Sequence, residues 1–329
     1  MKKKAKKLSK AKLWTIISAI AVVLFSLAII ITNIFIPVKY LASYCVSGKR
    51  VREGIMRVTF VDVGYGDCII VELPDGKNML IDAGDGRYSN NSKVLKELNR
   101  RDIDTIDYLI CSSVNGEHCG GLAEVLKYKT VKTIYMPYCK NKYVTDGFRA
   151  FADQTEKSGA EIIYSEYKVS ESGAEYFFTF LSPSLIDIEG GQYADFNSDP
   201  SKSTRDNSSA VLWLEYYDTA FLFTSDVETK ILESIVSAYE ISPDDYPVNL
   251  EKCKIVQLAG HGSEVSACAR FYDLSGAYAA VVSVGAGGNG CPSVKVMTDI
   301  TNIVGKRLYR TDENGNVIIE VSIAGFTVK

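Results

Sequence analysis

The chain has only two histidines in 329 residues, His118 and His261. A site built mainly from imidazoles is therefore excluded. Its eight cysteines (45, 68, 111, 119, 139, 253, 268 and 291) contain no CxxC pair, which excludes zinc-ribbon and thioredoxin-like arrangements. No Gly-x-Ser-x-Gly elbow occurs, so Ser112-Ser113 and Gly262-Ser263 are poor serine nucleophiles. Short internal repeats and long low-complexity runs are also missing. Positive charge is scarce once the N-terminus is set aside. Residues 1–12 (MKKKAKKLSKAK) hold seven lysines and no acid, and removing them leaves 30 Lys+Arg against 40 Asp+Glu, a net −10. A surface that neutralises many phosphates needs the opposite balance, which argues against long nucleic acid as a partner.

Beside that basic block stands the longest apolar segment. Leu13 to Ile36 run for 24 residues without a charge. As a helix rising about 1.5 Å per residue, the segment reaches about 36 Å, against a hydrocarbon core of about 30 Å. The lysines place residues 1–12 in the cytoplasm and everything after the span outside it. A cleaved signal fits less well, since its apolar region would be too long and YLASYC offers a poor cleavage site. The expected organisation is a basic tail (1–12), a membrane helix (13–36), a linker (37–54) and one large domain (55–329).

That domain alternates strand-like and helix-like segments. MRVTF and DCIIVELPDGKNMLI read as strands around a turn, and SKVLKELNRR has helical spacing. Similar β-then-α alternation recurs through TIDYLI, VKTIYM, SSAVLWLEYY, TAFLF, CKIVQ and YAAVV, and the stretch GGQYADFNSDPSKSTRD reads as a long exposed loop. The pattern suits an αββα sandwich as well as a doubly wound sheet. Polar residues fall just past several strands: Asp62, Asp82, His118, Asp226 and His261. Each alone could be a turn or helix-cap residue. Together, at the ends of rigid strands, they suggest a shared rim where a site is built.

The run VTFVDVGYGDCIIVELPDGKNMLIDAGDG resembles the opening of metallo-β-lactamase-fold domains of the ComEC competence-protein type. The likeness continues in order through IDYLICSSVNGEHCGGL, DNSSAVLWLEYYDTAFLFTSDVE, IVQLAGHGSEVS, AYAAVVSVGAGGNGCPS and LYRTDENGNVIIEV, across about residues 56–325. The resemblance implies an αββα sandwich and metal-dependent hydrolysis, often of phosphodiesters. Against the family pattern Thr-His-x-Asp-x-Asp-His (or His-x-His-x-Asp-His), Ser113 and Asn115 replace ligands, Glu117 stands for an Asp, and His118 is kept. Downstream, Asp226 matches a bridging Asp and His261 the second His of a His-His-Gly-Ser block whose first His is Gly260. Tyr65 stands for a Gln, while Asp62 and Asp67 remain, and a late Gly-His-Pro-Ser block reads Gly290-Cys291-Pro292-Ser293.

On this resemblance Glu117, His118, Asp226 and His261 are the ligands of at most one divalent metal, zinc or manganese. Glu117 and Asp226 are the catalytic carboxylates, and Ser113 and Asn115 are poor donors for a second ion. Cys291 is read as buried or disulfide-bonded, with Cys268 as the partner, in preference to a soft ligand. The sequence thus predicts a membrane-anchored, extracytoplasmic hydrolase acting on a small molecule or phosphodiester. Its competitor is a catalytically inactive scaffold of the same fold at the membrane surface.

Overall fold

The computed structural model describes residues 10–35, 48–138, 144–183, 202–285 and 290–329. Most of the expected linker, most of the long polar loop and the first nine residues lie outside the described residues. Helix α1 spans Lys10–Phe35, and its described apolar side chains, Trp14 and Phe25 among them, are exposed. Among the described residues no helix is long and apolar enough to cross a membrane. Part of the span expected over residues 13–36 falls on side chains outside the described set, so the anchor rests on the sequence alone.

Strands β1 (Met56–Phe60), β2 (Ile69–Glu72) and β3 (Asn78–Ile81) form an antiparallel meander. After α2 (Tyr88–Arg100) the chain enters β4 (Thr105–Ile110), the short α3 (Gly116–Cys119), α4 (Leu122–Tyr128) and β5 (Thr130–Met136). Then come α5 (Asp146–Ser158) and β6 (Glu161–Tyr164). The second half runs β7 (Ser170–Ser172), β8 (Tyr176–Ser182), α6 (Lys202–Asn207), β9 (Val211–Tyr216) and β10 (Thr219–Phe223). It continues through α7 (Thr229–Ile241), β11 (Cys253–Gln257), α8 (Ala269–Leu274), β12 (Ala279–Val282), α9 (Val294–Val304) and β13 (Leu308–Arg310). The tail is α10 (Thr311–Asn314), β14 (Val317–Ser322) and β15 (Gly325–Val328).

The strands form two sheets, ordered β15-β14-β1-β2-β3-β4-β5-β6 and β13-β12-β11-β10-β9-β8-β7. The fold is therefore an αββα sandwich, which decides between the two architectures the alternation allowed. Strand periodicity builds it. In β2, Ile69 and Val71 enter the core between the sheets, while Ile70 faces the outer helices. In β10, Phe221 and Phe223 face the other sheet, while Ala220 and Leu222 pack outward. Both faces of these strands are buried, so they read as continuous apolar runs.

The outer layers follow from helical spacing. Ile231, Leu232, Ile235, Val236 and Tyr239 of α7 recur at three- and four-residue steps and bury one face against the second sheet. Helix α9 starts where the Ser293 hydroxyl accepts a hydrogen bond from the Val296 N–H at 3.2 Å. Strands β3 to β6 run parallel, as do β10 to β13. Their carboxyl ends meet along one rim, the usual place for a site in sheets of this kind.

Candidate metal centre

Each polar group of the rim leaves the carboxyl end of a strand: Asp82 after β3, Ser112 after β4, Asp226 after β10, His261 after β11 and Ser283 after β12. All five are buried. His118 joins them from α3. Its Nδ1 donates to Asp82 Oδ2 at 2.8 Å. Asp82 is itself fixed: its Oδ1 accepts the Ser112 N–H at 2.8 Å, and its Oδ2 accepts the Ser112 hydroxyl. That hydroxyl in turn accepts from Ser225 Oγ at 2.7 Å.

His261 is held by different means toward the same end. Its Nδ1 donates to the Ser283 carbonyl at 2.8 Å. The backbone passes through three consecutive positive φ values, 54° at Gly260, 56° at His261 and 76° at Gly262. Such a conformation costs a non-glycine residue about 1–3 kcal/mol and is tolerated where function demands it. The flanking glycines also make room. A Cβ on Gly260 would sit 2.3 Å from Ser266 Oγ, and one on Gly262 would sit 2.7 Å from Pro292 Cβ. A second histidine at Gly260 would carry the left-handed backbone cost and force the Ser266 side chain to move.

With both Nδ1 atoms anchored outward, both Nε2 atoms turn inward toward Asp226. The His118 Nε2 lies 3.0 Å from Asp226 Oδ2, and the His261 Nε2 lies 3.5 Å from Asp226 Oδ1. Neither Nε2 has a hydrogen-bond partner. The shorter contact falls outside hydrogen-bond geometry, and both ring nitrogens lie against the one carboxylate. Donors about 2.0–2.1 Å from a tetrahedral ion stand about 3.3 Å from one another, close to these two separations. The donor atoms of His118, Asp226 and His261 all lie within 4.8 Å of each other. Two imidazoles and a carboxylate suit zinc or manganese, and their orphaned, buried nitrogens fit such an ion.

Asp67, Asp82 and His118 form a second close group, but here the imidazole presents its anchored Nδ1. Gln257 Nε2 donates to Asp67 Oδ2 at 2.6 Å, while Gln257 Oε1 accepts the Thr224 N–H at 3.2 Å. Asp82 orients the His118 ring, as outer partners of metal-bound histidines commonly do, whereas Asp67 stands 3.5 Å from the same nitrogen and keeps one buried oxygen without a partner. Of the four ligands expected from sequence, three converge. Glu117 does not: its carboxylate is partly exposed and joins neither group, while its carbonyl accepts the Asp67 N–H at 3.2 Å. Asp62 lies apart as well, capping Gly64 N–H at 3.0 Å and pairing with Lys93 at 3.1 Å.

Ser113 and Asn115 have no part in the donor set. The Asn115 amide lies between two buried acids, its Nδ2 donating to Asp206 Oδ1 at 2.7 Å and to Asp226 Oδ2 at 2.8 Å. The Tyr65 ring covers His261 at 4.4 Å between centroids. Of the two readings of Cys291, buried or disulfide-bonded, neither is fully met: Cys268 and Cys291 are both free thiols, Cys291 is half-buried, and it contributes to neither group. Clefts of about 340 and 410 Å³ around Arg50, Asp75 and Lys77 lie at the opposite ends of β3 and β4, away from this chemistry.

Charge is concentrated here. Burial works against an imidazolium at His118, but the Asp226 and Asp82 carboxylates outweigh it and hold its pKa well above the ordinary value. Burial likewise opposes ionisation of Asp226, yet His118, His261 and the Asn115 amide hold its pKa well below the usual carboxylate range. For Asp82, burial prevails and raises the pKa.

Known proteins resemble the chain in sequence and in fold. The sequence profile of the metallo-beta-lactamase superfamily matches residues 61–254. ComE operon protein 3 of Bacillus subtilis is 23% identical over 283 residues, covering 79% of this chain and 32% of that protein. The chain thus spans about a third of that relative's length. Among solved structures, the metallo-beta-lactamase fold protein YhfI from Bacillus subtilis aligns with TM-score 0.49 at 11% identity, over 80% of this chain and 99% of that one. CmlA, a diiron β-hydroxylase from Streptomyces venezuelae, aligns with TM-score 0.49 at 12% identity, over 82% and 54%. A diphosphatase of the PhnP family aligns with TM-score 0.45 at 11% identity, over 82% and 100%.

Proposed function

The chain belongs to the metallo-beta-lactamase superfamily, and on that premise we propose that it is a hydrolase using one divalent metal ion, zinc or manganese, held by His118, Asp226 and His261. The observation that carries this reading is the pair of buried Nε2 atoms without partners, both facing one carboxylate. Such an ion supplies a Lewis acid that lowers the pKa of water to about 7. The chain's own residues do the rest. Asp82 and the Ser283 carbonyl fix each ring's tautomer, so that both lone pairs point inward. Glu117, on the same turn as His118 but outside the donor set, serves as the general base.

The substrate in this proposal is a small phosphodiester. Lys202, its side chain 63% exposed, puts a cation on the rim beside Asp206, where an anionic group would be received. The net −10 outside the first twelve residues disfavours a long polyanion. The lysine block and the uncharged 13–36 segment support an anchor with the N-terminus in the cytoplasm and the domain outside. Protease protection of the domain in intact cells would reject that orientation.

The test is metal content and turnover together. Full-length protein should carry about one zinc or manganese per chain. It should cleave bis(p-nitrophenyl) phosphate, lose that activity to a chelator and regain it with the ion. Absence of both metal and rescue rejects the reading. A scaffold without metal is favoured by one observation, the two buried carboxylates that flank the His118 ring at 2.8 Å (Asp82) and 3.0 Å (Asp226). It predicts a metal-free protein whose cellular role survives His118→Ala.

A further inference from the structure

The other side of Asp226 is built as carefully as the histidine side. Asn115, Asp206 and Asp226 are all buried. Both hydrogens of the Asn115 amide nitrogen are used, on Asp206 Oδ1 at 2.7 Å and Asp226 Oδ2 at 2.8 Å. Its carbonyl oxygen accepts from Arg205 Nε at 3.1 Å. The remaining oxygen of Asp206 pairs with Lys202 at 2.7 Å, one turn away on the same helix, α6. Turning the amide over would set its oxygen against two carboxylates and its N–H groups against a guanidinium, so the orientation is fixed.

Two buried carboxylates that converge on one point require positive charge or N–H donors between them. Here a neutral amide fills that place. We propose that the Asn115 amide, locked by Arg205 and Asp206, occupies a second divalent-cation position and holds the chain to a single metal. The isosteric change Asn115→Asp would turn that position from a hydrogen-bond donor into a third anionic ligand, which a cation must balance. It removes both N–H donors and leaves three carboxylates (115, 206 and 226) sharing one gap, an oxygen-rich set suited to manganese or zinc. This inference rests on the single-metal reading of His118, Asp226 and His261, but the two fail in different ways.

Full-length wild type and Asn115→Asp are loaded with manganese, freed of excess ion, and compared by elemental analysis and by electron paramagnetic resonance. The expected result is one ion per chain in wild type and two in the variant. The spectrum should change from that of an isolated ion to that of an exchange-coupled pair. One ion in both proteins overturns the inference and leaves the proposed function standing. No ion in wild type rejects the single-metal reading, and with it the claim that the amide holds the chain to one ion, whatever the variant binds. Should Asn115→Asp fail to fold by circular dichroism, Asn115→His replaces it, keeping a neutral side chain with a ligand nitrogen. A stoichiometry that stays at one in that variant equally overturns the inference.

Discussion

The two sides of Asp226 differ in how their polar atoms are satisfied. Toward His118 and His261, two ring nitrogens are buried with nothing to bind. Toward Asn115, every hydrogen of the amide has an acceptor and its oxygen has a donor. One loop, residues 112–118, supplies both sides. Leaving a buried polar atom unpaired costs about 1–3 kcal/mol, so the proposed ion would relieve that cost on the histidine side, while the amide side carries none to relieve.

Removing the unpaired side should have the largest effect. His118→Ala is expected to abolish metal binding. It also leaves Asp82 and Asp226 buried without their cation, at a cost of about 3–5 kcal/mol in urea unfolding of the metal-free protein. Retained metal with unchanged stability would erase the distinction between the sides. Asp82→Asn probes the support beneath His118. Asparagine tolerates the φ of 58° at this position, so the fold should hold while metal affinity falls about 10–100-fold. Unchanged affinity in a competition titration would show that Asp82 does not orient the ring.

Proton linkage sharpens the comparison. The raised pKa of His118 means that an ion must displace a proton at neutral pH. Affinity should therefore keep rising with pH beyond the range of an ordinary histidine. Calorimetry in buffers of different ionisation enthalpy should detect the released proton; no release would contradict this. In the metal-free protein, the stabilisation from the His118 imidazolium is fully present below the ordinary histidine pKa. It is lost as pH rises through the raised value. The contribution of Asp226, whose pKa is lowered, is present above the ordinary carboxylate pKa and disappears only in strong acid. The smallest effect is expected outside the rim. Lys93→Ala breaks a partly exposed pair with Asp62, should cost at most about 1 kcal/mol, and should leave metal content unchanged.

Much of the fold was legible because strands and helices announce themselves by period. The steps of α7 and the apolar runs of β2 and β10 are visible in the sequence. The choice of a sandwich was not visible in the periodicity, since it depends on which faces meet; the family resemblance supplied it. His118, Asp226 and His261 were legible as polar residues at strand ends. The support around them was not. Gln257 holds Asp67 from 190 positions away, and a single glutamine in an apolar strand gives little warning of such a bond. The sequence places Lys202 and Asp206 in an exposed loop, whereas α6 brings Asp206 against Asn115 and pairs it with Lys202. Glu117 was placed among the ligands by the resemblance, but its carboxylate lies outside the donor set.

Anomalous diffraction from crystals of zinc-loaded wild-type protein would test the central claim most directly. One peak is expected, about 2.0–2.2 Å from His118 Nε2, His261 Nε2 and a carboxylate oxygen of Asp226. A peak bonded to Asn115 or Asp206, or no peak within reach of the two imidazoles, would contradict it.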